Sequence, residues 1–120
     1  MLLGSLLLAG TTPPLDGTTF TPWMPRLADN AIFTYEVVRF YKTAGPPPPT
    51  FNPFDVKIFH KNSEDLGEGE DAGATWVQSD NIHRTTLTGL KELVRYRIHC
   101  DTVDVGGVYR ILEPTWFNSV

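Results

Sequence analysis

Cysteine is nearly absent from this chain of 120 residues, Cys100 being the single one. One thiol excludes an internal disulfide and offers neither a C-x-x-C pair nor zinc-finger spacing. Acceptors for N-glycosylation are missing, since Asn62, Asn81 and Asn118 all lack Ser or Thr two places on. Positive charge is scarce: ten Lys and Arg stand against fourteen Asp and Glu, for a formal net charge of −4. A nucleic-acid ligand is bound by clustered cations that displace counterions, so no nucleic-acid partner is expected. The longest apolar run, Met1 to Gly10, falls well short of the roughly 20 residues of a membrane-spanning helix. It also lacks the positively charged opening of a secretory signal, and Thr11 stands where a lipobox after Leu8-Ala9-Gly10 would need its cysteine. Neither cleavage nor lipidation is expected, and synthesis would be cytoplasmic. There is no G-x-S-x-G elbow, no H-E-x-x-H, no glycine-rich phosphate loop before a helix, and no nucleophile placed with a base. The chain is expected to be no enzyme and to hold no cofactor.

What is present is proline, glycine and alternation. Pro13, Pro14, Pro22 and Pro25, with Gly10 and Gly17, deny residues 1–29 a long helix or a central strand. That stretch reads as an extended arm. From Ala31 the texture changes: Phe33, Tyr35 and Val37 alternate with Thr34 and Glu36, predicting a strand that runs to Lys42. The run Gly45-Pro46-Pro47-Pro48-Pro49 ends it in a stiff loop. Phe54, Val56, Ile58 and His60 form a second alternating set, with His60 at the edge of the core. Further strands are predicted over Thr75–Ser79, His83–Thr88, Val94–Thr102 and Val108–Leu112. In the third of these, Val94, Tyr96, Ile98 and Cys100 share one face and Arg95, Arg97, His99 and Asp101 the other. Asp104 and Gly106-Gly107 suggest a hairpin between the last two. Six short strands joined by Gly, Pro and Asp turns, with no helical periodicity of useful length, imply an all-β antiparallel sandwich at 30–114, with a tail at 115–120.

Between the second and third strands lies an acidic loop holding Glu64, Asp65, Glu68, Glu70 and Asp71 among Gly67, Gly69 and Gly73. Such carboxylates make a weak calcium candidate, because calcium accepts six to eight oxygens in irregular geometry. The spacing does not match an EF-hand, and a solvated loop accounts for the same residues, so no metal is expected.

The segment Thr86-Leu87-Thr88-Gly89-Leu90-Lys91-Glu92-Leu93-Val94-Arg95-Tyr96 resembles the corner of a fibronectin type III domain, where T-L-x-G-L precedes a tyrosine by six residues. The resemblance covers 75–113 and extends to immunoglobulin-like sandwiches in general. It implies that Leu90 and Tyr96 form a structural corner, with the tyrosine hydroxyl bonded back to backbone. The first strand lacks the buried tryptophan of that family, and Glu92-Leu93 replaces its Pro-Gly.

The two ends carry apolar residues beyond the expected core: Leu2, Leu3, Leu6, Leu7 and Leu8, the pair Trp23 and Met24, and Trp116 and Phe117. Large apolar side chains outside a core mark contact sites. The alternative is that the arm folds back over an open edge of its own sandwich. The first expectation is therefore a structural protein that assembles with copies of itself or with a capsid or filament lattice, such as a virion decoration protein, a phage head or tail component, or an extracellular filament subunit. The second is a fibronectin-like module that binds a protein or glycan through the loops at Pro46 to Asn52 and after Asn62.

Overall fold

The computed structural model describes residues 6–12, 17–42, 54–100 and 105–118. Among them are eleven strands and no helix: β1 (Leu6–Thr12), β2 (Gly17–Phe20), β3 (Met24–Pro25), β4 (Asn30–Lys42), β5 (Asp55–Lys61), β6 (Glu70–Asp71), β7 (Val77–Ser79), β8 (Ile82–Leu87), β9 (Leu93–Cys100), β10 (Val105–Leu112) and β11 (Thr115–Phe117). Every pairing is antiparallel. Sheet A has the order β1-β10-β4-β8-β7, with β11 also on β4, and sheet B the order β2-β9-β5-β6, with β3 also on β9. The chain is thus an all-β sandwich of two antiparallel sheets, as its alternating pattern implies.

The core lies where the inward faces meet. Ala31, Phe33, Tyr35 and Val37 of β4, with Tyr109 and Ile111 of β10, face Val56 and Ile58 of β5 and Val94, Tyr96 and Ile98 of β9, and all of them are buried. Each large side chain so placed contributes about 1.5–3 kcal/mol relative to exposure. Phe33 sits edge-on to Tyr96, with ring centroids 5.5 Å apart, and meets Trp116 edge-on at 6.3 Å. Trp76, just before β7, meets Tyr35 edge-on and donates its Nε1–H to the Val56 carbonyl at 2.7 Å, joining the sheets from one end.

Three expectations are corrected. The last two long strands form no hairpin with each other: β9 belongs to sheet B, while β10 lies between β1 and β4 in sheet A. The arm does not lie outside the sandwich in its described parts. Its first strand pairs with β10 and its next two with β9, because β9 and β10 would otherwise leave a row of backbone groups unpaired. The tail likewise joins sheet A, where β11 takes up β4 at Asn30–Ile32 after β10 leaves it at Tyr35. Proline explains the two-piece strands, since Pro22 between β2 and β3 and Pro114 between β10 and β11 have no N–H to give a ladder.

Candidate interaction surface

The corner before β9 is held by its own backbone groups, bonded to Arg26, Asp29 and Asn30. Gly89 takes a φ of 64°, and its N–H donates to Asn30 Oδ1 at 3.3 Å. Leu90 is buried, and its N–H donates to the Asp29 carbonyl at 2.9 Å. Arg26 donates to the Leu90 carbonyl. Tyr96 spans the two sheets. Its hydroxyl crosses the core into sheet A, accepting from the Thr34 N–H at 3.1 Å and reaching the Leu112 carbonyl at 3.0 Å and the Thr34 carbonyl at 3.3 Å. Complete burial pushes the phenol far above its ordinary range, so it remains a neutral donor. Tyr96 therefore ties β9 to β4 and β10.

The segment from β2 to β3 forms one edge of sheet B, along β9. Thr21, which is buried, donates its N–H to the Tyr96 carbonyl at 3.1 Å and accepts the Tyr96 N–H on Oγ1 at 3.0 Å, carrying the ladder past Pro22. On the outer face the Arg95 guanidinium lies 4.1 Å from the Phe20 ring centre and 4.3 Å from that of Trp23, and it donates to Glu68 Oε2 at 2.8 Å. Lys61 Nζ stands 4.8 Å from the Trp23 ring centre. Arg97 repeats the theme with Asp55 at 3.1 Å and the Phe59 ring at 5.6 Å. The cations of Arg95 and Lys61 attend the Trp23 ring, so the cluster works as a clasp. Met24 completes it, half-buried against the core.

Beside the clasp is an open cleft of about 380 Å³ lined by His60, Lys61, Asp65, Glu68, Glu70 and Lys91, with Leu66 and Gly69. His60 Nδ1 accepts the Lys91 N–H at 3.2 Å, and Nε2 lies 3.3 Å from Glu70 Oε1. The same oxygen is 2.7 Å from Lys91 Nζ. Burial lowers the His60 pKa, with Glu70 opposing it, and the hydrogen bond from Lys91 lowers that of Glu70. The ring is therefore neutral at pH 7. Gly69 fits closely here: its φ is +81°, and a Cβ would stand 2.7 Å from the His60 carbonyl oxygen and 3.0 Å from Trp23.

The five carboxylates of the acidic loop do not gather. Glu68 is held by Arg95, Glu70 by Lys91 and Asp71 by Lys57 at 3.8 Å, while Asp65 accepts the Asn62 N–H at 3.0 Å. Glu64 is exposed. Among the described residues no three His, Cys, Asp or Glu are placed to hold an ion, and no helix is long and apolar enough to cross a membrane.

Of the apolar contact candidates, Leu6, Leu7 and Leu8 form the start of β1 at the end of sheet A, and Leu2 and Leu3 lie outside the described residues. Trp23, Met24 and Trp116 are partly buried within the molecule, and Phe117 is 38% exposed. The loop at Pro46 to Asn52 is also outside the described residues. Reasoning from sequence missed Phe20, Lys61, Lys91 and Arg95 as partners. The one local signal was Arg95 and Arg97 recurring on the polar face of β9, which marks a charged face but not what covers it.

Comparison of the chain with protein-family models, curated proteins and solved structures finds no match.

Proposed function

We propose that this protein is a non-enzymatic structural protein that assembles, either with copies of itself or onto a larger protein lattice such as a capsid or filament. One observation supports the reading above the others: β1, at the end of sheet A, is seven residues of Leu-Leu-Leu-Ala-Gly-Thr-Thr without a charge or a proline. Monomeric β proteins ordinarily blunt such an edge, because its unpaired N–H and C=O groups recruit further strands. The contact residues in this reading are those of the N-terminal segment, with Phe117 at the other end. Sedimentation of the full-length chain over a wide concentration series, alone and with candidate lattice particles, tests it. Reversible assembly or sedimentation with particles is expected. A mass fixed at 13.4 kDa with no particle binding would overturn it.

A second reading is a binding module of fibronectin or immunoglobulin type, supported by the Gly89-Leu90 corner and by the open cleft beside the acidic loop. Substitutions in that loop would then abolish binding of a protein or glycan while leaving the oligomeric state unchanged.

A further inference from the structure

Among the described residues the four sheet edges are not alike. In sheet B one edge ends at β6, two residues that are both acidic, Glu70 and Asp71. The other is formed by β2 and β3, interrupted by Pro22 and ending at Pro25. In sheet A the far edge is β7, three residues long and followed at once by Asp80 at a φ of 55°. Charge, proline, shortness and bulges are the usual ways of closing an edge to further strands. β1 has no charge and no proline, and it is seven residues long. Its one irregularity is a register shift between Leu6 and Leu8, and from Leu8 to Thr12 it pairs regularly with β10 on its inner side.

We infer that the outer side of β1 pairs antiparallel with β1 of a second copy, joining two A sheets across a two-fold axis. This rests on the assembly reading above and names its partner. An isologous contact brings a segment against itself, so any charge in it would meet a like charge. The Leu6–Thr12 segment has none, and the nearest outward charge on β10, Arg110, is already paired with Glu36 at 3.1 Å. Strand length decides against a head-to-tail contact between β1 and β7. Seven residues at about 3.3 Å each offer roughly 23 Å of edge, whereas three offer only about 10 Å. The assembly therefore closes at two copies through this edge instead of growing into an open filament.

The test is light scattering of the full-length protein over a concentration series, beside the double variant Ala9→Lys/Thr11→Lys, which alters the two residues opposite Arg110 and Val108. Wild type should approach twice 13.4 kDa and stop there. The variant should keep its circular dichroism and dimerise about tenfold or more weakly, since lysines would face lysines across the axis. Hydrogen exchange on the wild type gives a reading that needs no variant: amides of 8–12 should gain protection as concentration rises. Three results overturn the inference: a dimer that keeps its affinity in the folded variant and shows no such protection, unlimited growth, or a monomer throughout. The first two leave self-assembly standing by another surface. The third removes self-assembly and leaves lattice binding to be judged by particle sedimentation.

Discussion

Tyr96 shows how much a single hydroxyl can hold. It serves a backbone N–H in β4 and a carbonyl in β10, all within the dry core. A buried donor or acceptor left without a partner costs about 1–3 kcal/mol, more than the net worth of an ordinary hydrogen bond. Tyr96→Phe preserves the ring that packs on Phe33 and removes only the oxygen. The expected outcome is a loss of about 1–3 kcal/mol, read as a lower urea midpoint at unchanged slope. A change within error would mean that water replaces the bonds. The burial and orientation of Tyr96 were legible in the alternation of Val94, Tyr96 and Ile98. Its partners were not, because Thr34 and Leu112 are distant in sequence and no local pattern links them.

Among the elements, the segment from β2 to β3 is held to β9 by its ladder and by one clasp. Thr21 continues the β9 ladder across Pro22, and Arg95 between Phe20 and Trp23 holds the outer side. The ion pair of Arg95 with the exposed Glu68 adds little, since solvent screens it. The packing of the guanidinium between two rings is the larger contribution. Arg95→Ala is therefore expected to leave the global melting transition nearly in place while amide exchange quickens at Thr19, Phe20 and Met24. Unchanged exchange at those amides would show that the backbone ladder alone suffices. Deleting the segment is a different experiment, since it strips β9 of its partner on one side and exposes Met24's place on the core.

At the scale of the whole molecule, the half-buried His60 and the buried His83 contribute to the response to acid. Burial lowers the pKa of His60, against the opposing pull of Glu70, and burial lowers that of His83, which stacks on Tyr35 with ring centroids 4.5 Å apart. The unfolded chain takes up protons below about pH 6.5 while the folded chain resists, so stability is full above that value, falls as the pH drops, and levels off below the folded pKa values. Glu70, lowered by Lys91, acts in the same direction: its contribution is present above its unfolded value and is lost as the pH falls through the folded one. The melting temperature should fall between pH 7 and pH 5, and His60→Gln/His83→Gln should flatten that slope between pH 6.5 and pH 5. An equal slope in the double variant would assign the acid response to other groups.

The sequence by itself determined the class of fold and the interior of the long strands. Period-two alternation over Ala31–Val37, Phe54–Ile58 and Val94–Ile98 leaves one face apolar, and such faces are stable only when two of them meet. Only the tertiary structure decided which strands are neighbours. Turn residues at Asp104 and Gly106 suit a hairpin, yet β10 pairs with β4 and β1, since backbone hydrogen bonding is indifferent to sequence and the choice of sheet rests on side-chain packing across the whole core. The apolar start of the chain shows the same division. Leu6, Leu7 and Leu8 announce that they need cover, but their place at the end of sheet A, where the other edges are short, acidic or interrupted by proline, follows from the order of all the strands together.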